Sequence, residues 1–323
     1  MPALAAGLVL TSPLGGQASF DWLSDAVHAR GMALASADVA TANPWEALGL
    51  NPASLERPAW QAQSKLGLLV VLRRYPAGID QQMTQVLMPL GRSVAGLEIR
   101  RLDYGTFSGY DDAGLQGEDY RAEDLLVRGG LMRPVGRFLA LGAAAGGIMG
   151  NLAGERSRGF LWSLGARLNV QRLDAQIGAV LQNQGTLVNE VNEAASGAPP
   201  DQLPGAWLVG LAKGLAYLPV TVHIAGGREM ATGQPLWRLG IEFRLTRLAL
   251  RMGVDQGKND YARGNASADL LSGFSLGIGT RTGGLGLASV ADTRRSPRFS
   301  LDGAVKLLGP LGFSTSLALA VQL

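Results

Sequence analysis

Residues 236–255 read LWRLGIEFRLTRLALRMGVD, and their apolar/polar alternation of period two decides the fold class. In the first half, Trp237, Leu239, Ile241, Phe243 and Leu245 alternate with Arg238, Gly240, Glu242 and Arg244. In the second, Leu248, Leu250, Met252 and Val254 alternate with Arg247, Arg251, Gly253 and Asp255. Successive side chains of a strand point to opposite faces. This hairpin therefore has one hydrocarbon face and one charged face. A soluble sheet hides the first against a second layer, whereas a transmembrane barrel turns it to lipid and encloses the charges.

The same alternation recurs at Phe160, Trp162, Leu164, Ala166, Leu168 and Val170, and again at Phe274, Leu276 and Ile278. From about residue 59 onward, strand-like segments are expected near 60–72, 79–89, 93–104, 120–132, 136–148, 159–170, 173–183, 205–213, 218–226, 236–245, 247–256, 269–281, 284–291 and 298–307. The connections between them alternate in length. Long polar ones fall at 105–119, 149–158, 184–204, 227–235, 257–268 and 292–297, with tight turns between. Short turns on one rim and long loops on the other are the pattern of outer-membrane barrels. One segment does not fit. Residues 311–323 also read as a strand, so either an earlier segment is miscounted or this tail is an addition to a barrel of fourteen.

Composition agrees with strands in a membrane. Of 323 residues, 47% are hydrophobic and only 17% charged, below the usual quarter or so for soluble domains. The 45 glycines argue against long helices, where glycine is costly. No apolar run reaches the ~18 residues of a membrane helix, a test that a barrel escapes. The net charge of +3 is spread over dispersed arginines, so a nucleic-acid groove is not expected. With no cysteine, disulfides and thiolate metal sites are excluded.

Residues 1–18 are expected to be an export signal: a short apolar run, Ala3 to Leu10, followed by small residues through Ala18. Its basic start is missing, since the first charge is Asp21. Residues 19–57 differ from the rest, with short helical turns and two Asn-Pro breaks, and are expected to form a plug-like or periplasmic segment. Residues 58–323 are then the barrel.

Arg167, Arg238, Glu242, Arg244 and Arg251, with Glu98 and Arg100, fall at lumen positions. They read either as the lining of a channel or small-molecule site, or as an ion-paired filling that supports a closed barrel. No catalytic, cofactor or metal constellation emerges. His28 and His223 stand alone, and the glycine-rich stretches lack the Lys-Ser/Thr ending of a phosphate loop. A non-enzymatic protein is expected.

The chain resembles the PorV/PorQ family of outer-membrane barrels. The likeness is carried by Phe20-Asp21-Trp22-Leu23, Ala29-Arg30, Asn51-Pro52-Ala53, Tyr104-Gly105-Thr106-Phe107, and then Asp111, Gly114, Gly117, Tyr120, Ala122 and Asp124. In the last stretch the second Gly comes one place early and Tyr replaces Phe. A lysine usual in the family after Leu141-Gly142-Ala143-Ala144 is missing, and the tail beyond Leu308 has no counterpart. The resemblance implies a fourteen-stranded barrel related to the fatty-acid transporter FadL, in the outer membrane of a Gram-negative bacterium. It also implies a role in type IX secretion and surface attachment of cargo, through protein partners of PorZ, PorU and PorV type. The alternative function is a FadL-like transporter of hydrophobic or small molecules, with the N-terminal segment as its hatch. A soluble all-β protein is the third reading, separable by detergent fractionation.

Overall fold

The computed structural model describes residues 20–55, 66–109, 115–152, 155–189, 202–245, 248–256, 271–282 and 298–322. The proposed signal, residues 1–18, lies outside them, as do Asp111 and Gly114. Fourteen antiparallel strands close into one barrel: β1 (Gly67–Arg74), β2 (Asp80–Leu90), β3 (Ser93–Phe107), β4 (Tyr120–Val135), β5 (Leu139–Leu152), β6 (Glu155–Val170), β7 (Ala175–Asn189), β8 (Ala206–Gly214), β9 (Val220–Glu229), β10 (Pro235–Arg244), β11 (Leu248–Asp255), β12 (Phe274–Thr282), β13 (Arg298–Leu307) and β14 (Phe313–Gln322). Each strand pairs with its chain neighbours, and β14 pairs with β1 from Gly67↔Gln322 to Arg74↔Thr315. Closure leaves no free edge for another chain to extend.

The tail is thus the closing strand and not an addition. The surplus in the sequence count is segment 284–291, which lies outside the described residues. β12 pairs directly with β13, so the wall has no place for a strand between them. Loop parity holds less strictly than the sequence suggests. Strands β5 and β6 run on to the pair Leu152↔Glu155, which removes most of the expected 149–158 loop. Likewise β9 and β10 leave only 230–234 between them. The polar residues there look like loop but extend the ladder past the hydrocarbon zone, where polar side chains meet water. β12 ends and β13 begins at the rim that otherwise carries the tight turns.

Register confirms the opening alternation. In β10 and β11, Trp237, Leu239, Leu250 and Met252 face outward and are exposed, while Arg238, Glu242, Arg251 and Asp255 are buried inside. Phe160, Trp162, Leu164 and Leu168 do the same on β6. Among the described residues no second layer covers the outer apolar side chains, which suits a wall in contact with lipid.

Residues 20–55 fill the lumen. They hold two short turns, Asp21–Ser24 and Pro52–Ser54, and helix α1 (Ala29–Ala33). Trp22, Met32, Leu34, Trp45, Leu48 and Leu55 are buried against the wall. The wall makes room with glycine. A Cβ at Gly142 would lie 2.2 Å from the Pro52 carbonyl carbon, and one at Gly67 would lie 2.5 Å from the Trp45 ring. Gly253 and Gly277 meet Leu34 and Ala33 in the same way, at 2.5 and 2.4 Å. The glycine content therefore reflects close plug–wall packing as well as turns.

On the opposite side of this thin wall, a trough of about 1180 Å³ crosses the outer faces of β10–β14, β1 and β2. One register row runs along it, Phe243↔Leu250↔Ile278↔Gly303↔Leu317↔Leu72. Its floor is Gly303, where a Cβ would touch nothing within 4 Å.

Candidate functional site

Two arrangements in the lumen carry chemistry: an ionic network that holds the plug, and a pocket above it at the rim opposite the tight turns.

The network centres on Arg30 of α1. Its guanidinium donates through Nε to Glu242 Oε1 at 3.1 Å and through Nη2 to Glu242 Oε2 at 3.2 Å, a bidentate pair from plug to β10. The same group reaches Asp38, the Thr41 carbonyl and Glu46. Glu242 also accepts from Arg251, its cross-strand register partner, and from Arg244. Arg251 continues to Asp302 on β13. Glu46 accepts the Gly31 N–H at 2.8 Å and lies 2.7 Å from His28 Nδ1. The same Nδ1 stands 3.1 Å from the Arg30 N–H, so the imidazole and the Glu46 carboxylate together cap the first turn of α1.

Burial and neighbouring charges compete to set the protonation of the plug carboxyls. Burial pushes the Glu46 carboxyl up, but His28 and Arg30 outweigh it and hold it down at about 2. Asp38 goes the other way, since burial and the charge on Glu46 push it well above the usual carboxylate range. Asp25 is likewise raised by burial, yet Lys306 and Arg73 prevail and hold it at about 2. Its contacts are Arg73 Nη2 at 3.1 Å and Lys306 Nζ at 3.6 Å. A second cluster joins Glu98 to Arg100 and Arg128, at 3.0 and 2.8 Å.

The rim pocket has a volume of about 390 Å³. A β-bulge between Asp103 and Gly105 builds it, with Gly105 at φ +90° in the region that favours glycine. The extra residue aims Tyr104 into the lumen, where its hydroxyl donates to Asp124 Oδ2 at 2.8 Å. Trp22 Nε1 donates to the same oxygen at 2.8 Å. Beyond the bulge, Phe107 and Tyr120 stack across the strand pair with centroids 5.5 Å apart and planes 20° apart. Phe20 of the plug packs beneath, where a Cβ on Gly150 would stand 3.0 Å from its ring. The result is a cup with aromatic walls and one carboxylate in its floor, completed on the β5–β6 side by Asn151, Leu152 and Ser157.

Five of the residues singled out in the sequence converge here. Phe20, Trp22, Tyr104, Gly105 and Asp124, far apart in the chain, form the cup. Arg30 anchors the network. Asn51 and Pro52 form the turn against β5 and β6, where Asn51 Nδ2 donates to the Val39 carbonyl and its Oδ1 accepts from Ala53 N–H. Gly114 lies outside the described residues. Arg238 faces the lumen and reaches the Ser36 carbonyl, and Arg167 is buried on the inner face of β6. Arg244 sits at the tight-turn rim, partly exposed. Sequence reasoning missed Arg73, Arg128, Lys306 and Asp302. Their lumen parity was readable, but nothing in the pattern marked which plug residue each would meet.

No protein-family model matches this chain, and no curated protein matches it in sequence. Solved structures do. CymD, a monoaromatic hydrocarbon channel, aligns at TM-score 0.54 and 13% identity over 92% of this chain and 96% of its own. The toluene transporter TbuX of Ralstonia pickettii aligns at 0.54 and 14%, over 91% and 97%. A deltaS2 mutant of TodX, another monoaromatic hydrocarbon channel, aligns at 0.53 and 14%, over 94% and 99%. At such identity the likeness concerns the fold, and the fold joins the lipid-facing belt described above. This chain is an outer-membrane β-barrel. Its barrel, plug and rim cup are the parts from which a function must be built.

Proposed function

We propose that the barrel is an uptake channel for small apolar molecules, which enter at the rim cup and pass when the plug moves. The cup is the observation that carries this reading. Apolar pockets with few convergent polar groups are the usual form of small-molecule sites. This one opens at the rim of the longer connections and ends on the plug itself. The fold likeness to hydrocarbon channels supports the same reading.

The test is uptake of radiolabelled toluene by a Gram-negative host that lacks such channels. Cells producing the barrel should take up toluene faster than cells with an empty vector. The double variant Phe107→Ala/Tyr120→Ala should lose most of that gain while remaining folded in the outer membrane. Equal uptake with and without the barrel rejects the channel.

A second reading is favoured by the filled lumen. A barrel whose plug is fixed by buried ion pairs suits a partner-binding scaffold, as the PorV/PorQ resemblance implies for secretion and cargo attachment. It expects no uptake, and surface partners of PorZ type retained in a detergent pull-down.

A further inference from the structure

The floor of the cup has a polarity that a site for plain hydrocarbon would not need. Asp124 is 8% exposed and lies among Phe20, Tyr104, Phe107 and Tyr120. Its two hydrogen bonds, from Trp22 Nε1 and Tyr104 Oη, both end on Oδ2. Among the described residues nothing donates to Oδ1, and no cation lies within ion-pair distance of the carboxylate. Gly150 leaves the approach to Oδ1 open, since a Cβ there would stand 2.9 Å from it. Oδ1 thus faces the cup and is open to whatever fills it, so a ligand with a hydrogen-bond donor can take the place of water there, whereas one without a donor strips the oxygen of its water and returns nothing.

The geometry points to a ligand class: apolar, ring-bearing molecules with a hydrogen-bond-donating head, such as phenols, received head-first with the head on Asp124 Oδ1 and the ring against Phe107 and Tyr120. The inference rests on the uptake reading above and sharpens it. Hydrocarbons fit the same walls but leave Oδ1 unpaired. Carboxylate-bearing molecules bring a like charge to Asp124 and are turned away. Trp22 and Tyr104 act as positioning residues, because their bonds to Oδ2 fix the carboxylate so that Oδ1 faces the cup. The selectivity follows an asymmetry seen in other sites: a pocket built to bond a polar head discriminates strongly against the analogue that lacks it.

The experiment is equilibrium dialysis of para-propylphenol, propylbenzene and para-propylbenzoate against the full barrel in lipid nanodiscs, with empty nanodiscs subtracted. The phenol should bind about tenfold more tightly than propylbenzene, as expected for one hydrogen bond to a charged acceptor. The benzoate should bind more weakly than either. In Asp124→Asn, whose amide oxygen can still accept from Trp22 and Tyr104, the phenol-to-hydrocarbon ratio should fall toward one and the benzoate should gain. Equal wild-type affinities for phenol and hydrocarbon, both lost in Phe107→Ala/Tyr120→Ala, overturn the donor preference and leave the uptake reading standing. No binding of any of the three, together with no toluene uptake, overturns both. No binding with normal uptake removes the cup as the entry site, and this inference with it. The wild-type ratio decides the matter even if Asp124→Asn fails to fold.

Discussion

Glu242 shows how much of a site one residue can carry. The sequence placed it at a lumen position by parity, and in the structure it stands opposite Arg251 and pairs with it. Parity could not show Arg30, because that contact joins residues 212 positions apart through the lumen. The two arginine partners outside the plug differ in environment, and this makes a sharp test. Glu242→Gln leaves Arg30 and Arg251 buried without their common counter-charge, a type of loss that costs about 3–5 kcal/mol. Arg244, 45% exposed, contributes a pair screened by water. Arg244→Gln should therefore cost under about 1 kcal/mol. Denaturant unfolding of the detergent-solubilised barrel, followed by tryptophan fluorescence, measures both. Equal losses would mean that Glu242 serves the rim and not the plug.

Strands were legible as elements because alternation fixes which face each residue takes, and a shift of one residue would turn every side chain over. What alternation leaves out is what stands against the inner face. Gly142 and Gly147 lie on the same strand, look alike in sequence, and have opposite surroundings. A Cβ on Gly142 would collide with the Pro52–Ala53 backbone at 2.2–2.4 Å, whereas one on Gly147 meets only a carbonyl oxygen at 3.8 Å. Gly142→Ala should destabilise by about 1–3 kcal/mol through overpacking against the Asn51–Ala53 turn. Gly147→Ala should change stability by less than about 0.5 kcal/mol. Paired melting curves of the two variants test whether β5 is fitted to the plug. The Asn-Pro-Ala element, which the sequence offered only as a family likeness, acquires a physical reason from the same contact. It is the turn that β5 and β6 were emptied of side chains to receive.

At the scale of the molecule, closure and strand number were within reach of the sequence. The extra segment 284–291 obscured the count, since a glycine-rich apolar run has strand-like composition whether or not it joins a wall. The plug's position was not legible, because its turns carry no signal of what encloses them. Whether that plug is a gate decides between channel and scaffold, and the structure supplies a means of fixing it. A Cβ on Gly240 of β10 would lie 3.2 Å from the Leu34 Cβ just after α1, close to the roughly 3.5–4.5 Å that a disulfide spans. The chain has no cysteine, so the pair Leu34→Cys/Gly240→Cys can form only the intended bridge. If molecules pass by displacing the plug, oxidised cells should lose toluene uptake and regain it on addition of a membrane-permeant reductant. Each single-cysteine variant should take up toluene at the wild-type rate in both conditions. Unchanged uptake through a barrel whose bridge is shown to be formed would mean that the route avoids this part of the plug. Absence of uptake in every form, reduced or oxidised, would instead favour the scaffold, for which the ion pairs of Arg30 are permanent fastenings and not a latch.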